Sequence, residues 1–162
     1  MNTTRLTHID DQGSPGMVDV GSKEDTRRRA VFQSKVLLSE NTYRLLQEQA
    51  LPKGDVLTTA KIAGIQAAKK TSELIPLCHP LFLSHIAIDF FPDASGHSIL
   101  IQAKAETTAP TGVEMEALVA AQVAAMTIYD MCKAVQRDIV ITDCRLVHKS
   151  GGRSGKYDWS EE

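Results

Sequence analysis

Residues Gly112 to Arg137 read GVEMEALVAAQVAAMTIYDMCKAVQR, and what this stretch requires decides the fold. Its middle is nearly continuous Ala, Val, Leu, Met and Ile, with no interior Gly or Pro, so it predicts one long helix. The helix is apolar almost all round, which demands burial rather than a surface position. Four charged groups nevertheless stand in it or at its start: Glu114, Glu116, Asp130 and Lys133. Asp130 and Lys133 are three residues apart, so they share a face and can touch. Charges in apolar surroundings are costly to bury unless paired. Two readings stand: an ion pair that caps the solvent end of a core helix, or a pair of groups kept for chemistry.

The segments before the helix supply what it packs on. Ser98 to Thr107 aligns Ile99, Ile101, Ala103 and Ala105, and Ser84 to Phe91 aligns Ile86, Ile88 and Phe90. That period of two predicts two strands, joined as a hairpin through Pro92 to Gly96. Ala30 to Leu38 alternates in the same way, and a last strand is expected around Ile139 to Leu146. Ser39 offers an N-cap for a short helix through Gln49. A second helix, from about Asp55 to Lys70, carries the small-residue face Val56, Ala60, Ala63, Gly64 and Ala67. Leu74 to Leu83, LIPLCHPLFL, contains Pro76 and Pro80 and can be neither a regular helix nor a central strand. Hairpin-paired strands with helices free to lie on one face predict an α+β sandwich with a largely antiparallel sheet.

Residues 1–16 are expected to form a loosely held arm, 17–155 a single domain and 156–162 a tail. Helices this apolar ask for more burial than one small domain supplies, which a homo-oligomer would provide. The 162 residues are 43% hydrophobic and 23% charged, ordinary for a folded soluble chain. No run is long enough to span a bilayer, and the polar N-terminus has no apolar core of a secretory signal. A net charge of −2 and 5% aromatic residues argue against nucleic-acid binding. Three cysteines without framework spacing fit a reducing cytoplasm.

Cys78-His79-Pro80 places two reactive side chains in a rigid, proline-bracketed loop. They could act as a nucleophile or acid/base pair, form half a zinc site, or simply be buried. Cys132, Cys144 and His85 have no zinc-site spacing, so no metal is expected. Lys53, in Pro-Lys-Gly-Asp, reads alone as a surface lysine. Lys149 to Gly155, KSGGRSG, combines exposed backbone N–H groups with two cations, which suits phosphate, or it is a flexible basic loop. It is not a Walker A loop. Arg27 to Arg29 read alone as a solvated strand end. Glu114 and Glu116 complement the helix dipole.

Together these pieces resemble one family. KIAGIQAAKKTSELIPLCHPL at Lys61 to Leu81, GVEMEAL at Gly112 to Leu118 and TIYDMCKA at Thr127 to Ala134 are similar to the signature blocks of the cyclic pyranopterin monophosphate synthases. Met17 to Val20 and Lys149 to Gly155 fit the same family, in the same order. The resemblance implies a ferredoxin-like α+β sandwich that forms a hexamer, a trimer of dimers, with active sites at dimer interfaces. It implies molybdenum cofactor biosynthesis in the cytoplasm, from 3′,8-cyclo-7,8-dihydroguanosine 5′-triphosphate to cyclic pyranopterin monophosphate and diphosphate. Asp130 resembles the catalytic carboxylate of the family, and Lys133 and Lys53 its essential lysines. Leu77, Cys78, His79, Met115 and Glu116 match its substrate-contacting segments, with Glu114 beside them, and Lys149 and Arg153 are candidates for the phosphates. Arg153 departs from the lysine more often expected there, exchanging a point charge for a planar fork. The alternative is a catalytically silent nucleotide-binding regulator of the same fold.

The implied rearrangement has no net redox change, so no flavin, nicotinamide or iron–sulfur cofactor is expected. It needs proton transfers in a water-poor pocket and charge stabilisation at the leaving diphosphate. Asp130 and Lys133 could supply a base and an acid, and Lys53 nearby would lower the pKa of Lys133. Glu116 and Asp130 lie about 21 Å apart along a continuous helix. Either two chains build each site, or the helix begins later and Glu116 folds back on a loop.

Overall fold

A computed structural model describes residues 13–153 and 155–160. The strands are β1 (Thr26–Leu37), β2 (His85–Asp93), β3 (Ser98–Ala109), β4 (Val140–Ser150) and β5 (Tyr157–Asp158). They form one sheet in the order β2-β3-β1-β4-β5, antiparallel at every pairing. Between β1 and β2 come α1 (Glu40–Gln47), α2 (Val56–Ala68) and the single turn α3 (Thr71–Leu74), and α4 (Glu114–Cys132) joins β3 to β4. The first four strands with α2 and α4 make the ferredoxin-like split β-α-β arrangement. Most of the expected arm, residues 1–12, lies outside the described residues. Among the described residues no helix is long and apolar enough to cross a membrane.

Local chemistry starts the helices where the sequence predicts. Ser39 Oγ accepts the Thr42 N–H at 3.3 Å, and Asp55 Oδ1 accepts the Thr58 N–H at 3.0 Å. Val36, Ile99, Ile101, Ala103 and Ala105 form the inward sheet face. Ala117, Ala120, Ala121, Ala124, Ala125 and Ile128 of α4 are fully buried above it. Small residues bring α2 and α4 together. A Cβ on Gly64 would strike the Ile88 side chain and come within 2.7 Å of the Ala120 carbonyl oxygen, so only glycine permits this approach.

Several boundaries differ from expectation; β1, for one, begins at Thr26 rather than Ala30. The long helix ends at Cys132, not Arg137, with Lys133 as its C-cap. The Val135 and Gln136 N–H groups both turn back to the Cys132 carbonyl, at 2.9 and 3.1 Å. Gln136 then accepts the Ser39 N–H at 2.8 Å, and Ile139 is buried. Tertiary anchors stop a helix whose sequence has no breaker. β4 runs past Leu146 to Ser150, because β1 offers partners as far as Arg29. Part of the expected tail is the fifth strand, with Asp158 opposite His148 and Tyr157 opposite Lys149.

Candidate active site

α4 opens with Val113 as N-cap and no side-chain cap, and the acidic residues of its first turn complement the helix dipole. Glu114 and Glu116 stand in this first turn. The Glu114 carboxylate folds back over Gly112, in the space a Cβ there would take, and Glu114 Oε1 accepts from Lys149 Nζ at 3.1 Å. Glu116 turns the other way and is 4% exposed. The proline-bracketed loop runs against this helix end, with the Cys78 N–H on the Ile75 carbonyl at 3.1 Å. His79 Nε2 lies 2.7 Å from the Val18 carbonyl, so it donates there, leaving Nδ1 as the acceptor of the neutral ring. Leu77, Cys78, His79, Glu114, Met115 and Glu116 all line one cavity of about 400 Å³.

The electrostatics of this cavity are those of a carboxyl kept near neutrality. Burial, with the charge of Glu114 adding, pushes the Glu116 pKa up to about 7. Burial and then Glu116 push the Cys78 thiol up, so Cys78 is a thiol rather than a thiolate at neutral pH. The sign of the stability effect follows. Glu116 holds its proton more tightly when folded, so its contribution is full below about pH 4.5 and is lost as pH rises through about 7. Replacing Glu116 by glutamine is therefore expected to stabilise the protein at pH 8 by about 3 kcal/mol, with little change at pH 4.5. Urea unfolding of both proteins at the two pH values checks this; parallel pH profiles would contradict it.

A second cavity, of about 500 Å³, adjoins the first through Lys23, which lines both. Its other lining includes Arg28, Thr26, Gly152 and Arg153. The alternation of β1 separates its three arginines. Arg27 and Arg29 pair with Glu106 at 2.9 and 3.8 Å, whereas Arg28 donates to the Ala109 and Pro110 carbonyls, both at 3.2 Å. Gly151 and Gly152, at φ +97° and +72°, press on β1 where a Cβ would collide with the Arg27 carbonyl and the Arg28 guanidinium. The glycines thus bring Arg153 alongside Arg28. Lys23 and Arg28 are residues that sequence reasoning missed. The available signal was Arg28's period-two opposition to its neighbours.

At the far end of α4, Lys53, Asp130 and Lys133 meet. Lys53 Nζ lies 2.7 Å from Asp130 Oδ2 and 3.0 Å from the Asp130 carbonyl, while Lys133 Nζ lies 2.6 Å from Oδ1. Hydrogen bonds from Lys133 and Lys53 hold the Asp130 carboxyl down at about 2. The same bond from Asp130 holds the Lys133 ammonium above its ordinary range. The expected lowering by Lys53 is therefore not found: the Asp130 carboxylate in direct contact raises Lys133 instead. The two groups of site residues are not brought together within the chain. α4 is unbroken from Glu114 to Cys132, so Glu116 is helical and stands about 21 Å along the axis from Asp130.

Comparison with known proteins places these residues in context. The MoaC family matches residues 17–152. A cyclic pyranopterin monophosphate synthase of Oleidesulfovibrio alaskensis is 66% identical over 152 residues, 94% of this chain and 96% of that one. The protein of the same name from Nitratidesulfovibrio vulgaris is 59% identical over 94% of each chain. Human molybdenum cofactor biosynthesis protein 1 is 51% identical over 97% of this chain, which spans 25% of that longer protein.

Proposed function

Since this chain belongs to the MoaC family, we propose that it is a lyase with cyclic pyranopterin monophosphate synthase activity in molybdenum cofactor biosynthesis. It converts 3′,8-cyclo-7,8-dihydroguanosine 5′-triphosphate to cyclic pyranopterin monophosphate and releases diphosphate. The observation that carries this reading is the pair of adjoining cavities that share Lys23. The first has the size and the thiol, imidazole and carboxyl groups to hold a purine-derived base. The second has the cations to hold its triphosphate.

The residues divide the work by charge. Arg28, Lys149, Arg153 and the amides of the glycine loop take the phosphates and stabilise the charge that develops on the leaving diphosphate. Glu116, poised near neutrality, exchanges protons with the base, and Cys78 and His79 orient it. Asp130 enters as a carboxylate between two ammonium groups. Substrate that separates them raises Asp130 and lowers Lys133 towards values at which proton transfer is efficient.

Each site is assembled from two subunits, the Glu116 end from one and the Asp130 end from its partner. The unbroken helix supports this, as do exposed apolar side chains on the helix layer and just beyond it, among them Ile62, Leu74 and Met126. Repetition of the pairing into a trimer of dimers gives a hexamer, and the location is cytoplasmic. Incubation with the cyclised GTP derivative tests the activity, reading diphosphate and the fluorescent oxidised pterin. Absence of both products overturns it.

Lys149→Ala and Arg153→Ala are each expected to raise KM about tenfold while kcat falls less. Steady-state kinetics check this; lower kcat at unchanged KM would remove the phosphate-positioning role.

A further inference from the structure

The family match stops at residue 152, yet the chain beyond it is tied down by more contacts than a tail needs. Asp158 lies opposite His148 and Tyr157 opposite Lys149, and the ladder continues from the Trp159 N–H to the Val147 carbonyl at 2.8 Å. Side chains lock this short strand on one face. Asp158 takes His148 Nδ1 on one oxygen and Lys156 Nζ on the other, each at 2.7 Å. The opposite ring nitrogen of His148 reaches Ser150 Oγ at 3.3 Å. The Arg145 guanidinium lies 4.5 Å over the Trp159 ring.

We propose that Lys156 to Trp159 form a clasp that positions the glycine loop, and so Arg153, on the substrate phosphates, with Asp158 and Trp159 as positioning residues. This rests on the reading of the cationic cavity given above. β4 is already held on its other edge by β1, as far as Ser150 opposite Arg29. Among the described residues, the loop after Ser150 has its first strand pairing there and its next in the clasp. A loop anchored at both ends has fewer conformations to lose when it binds a ligand. A strand of two residues is too short to stay paired by its backbone alone, which is why the ion pairs and the ring contact matter. The register also sets direction. His148 and Asp158 lock on one sheet face while Lys149, one position on, points from the other face to Glu114.

The test measures inhibition by inorganic triphosphate and steady-state kinetics on Asp158→Asn, Trp159→Ala, Trp159→Phe and Arg153→Ala, singly and combined, with assembly checked. Asp158→Asn and Trp159→Ala should each raise KM and the inorganic triphosphate inhibition constant about tenfold, with kcat within about twofold of wild type. Trp159→Phe, which keeps a ring under Arg145, should behave as wild type. Adding Arg153→Ala to a clasp variant should cost little more, because both changes remove one contact. Two results overturn the clasp while leaving the cavity reading intact: Arg153→Ala weakens triphosphate binding but the clasp variants do not, or the two effects simply multiply. If Arg153→Ala itself leaves triphosphate binding unchanged, the cavity reading fails and the clasp fails with it. Should Trp159→Ala not fold, Asp158→Asn, which changes one atom on an exposed edge, decides the matter alone.

Discussion

Asp130→Asn and Lys133→Ala are each expected to lower turnover roughly a thousandfold, within the range that positioned acid/base groups contribute. Both variants should keep their fold and assembly. The reason lies in where the pair stands. Asp130 and Lys133 have side chains about half exposed, at 54% and 50%, and meet Lys53 beyond the apolar body of α4. Exposed ion pairs add little to stability, and because both side chains are at the surface, removing one partner leaves no stranded buried charge. The buried alanine face of α4 carries the stability, and the pair is free to serve chemistry. Circular dichroism, sedimentation and turnover on the same preparations separate the two roles. Near wild-type turnover in either variant would remove the acid/base assignment. Loss of helix signal and assembly would return the pair to a structural cap.

The second large effect is a gain. Glu116→Ala and Lys133→Ala proteins, each inactive alone, are expected to recover activity when their subunits exchange. In the isologous dimer proposed above, the Glu116 end of one helix meets the Lys133 end of the other, twice. A mixed dimer therefore holds one site with both changes and one with neither. With equal mixing and random pairing, about a quarter of the sites are intact, and activity should approach that fraction of wild type. The helical geometry makes the outcome sharp. Glu116 and Asp130 are fixed to one unbroken helix from Glu114 to Cys132, so no local movement can bring them onto one substrate. Verified exchange with no returning activity would place the whole site within one chain.

How much of this could be read beforehand depended on the range of the forces involved. Alternation in β1, β2 and β3, the cap at Ser39, and the alanine-rich body of α4 are local properties, and the architecture follows from them. The contact of Asp130 with Lys133 was equally legible, since three residues along a helix is one neighbour away. That Cys78, His79 and Glu116 share a site came from the family resemblance, because no spacing joins residues from separate elements. The helix stop at Cys132 had no local signal; it depends on Gln136 meeting Ser39 and on burial of Ile139. The direction of the Lys133 shift needed a distance, because its largest cause is a hydrogen bond to the Asp130 carboxylate, and such a bond turns on ångströms. Lys23 and Arg28 became visible only when the glycine loop lay against β1, and Asp158 only when it met His148. The sequence alone determined the four long strands, the helices α1, α2 and α4 and the faces they bury, since these depend on neighbours along the chain, but not α3 or β5. The tertiary structure decided which charges meet, because those contacts join residues that only folding brings within hydrogen-bond reach.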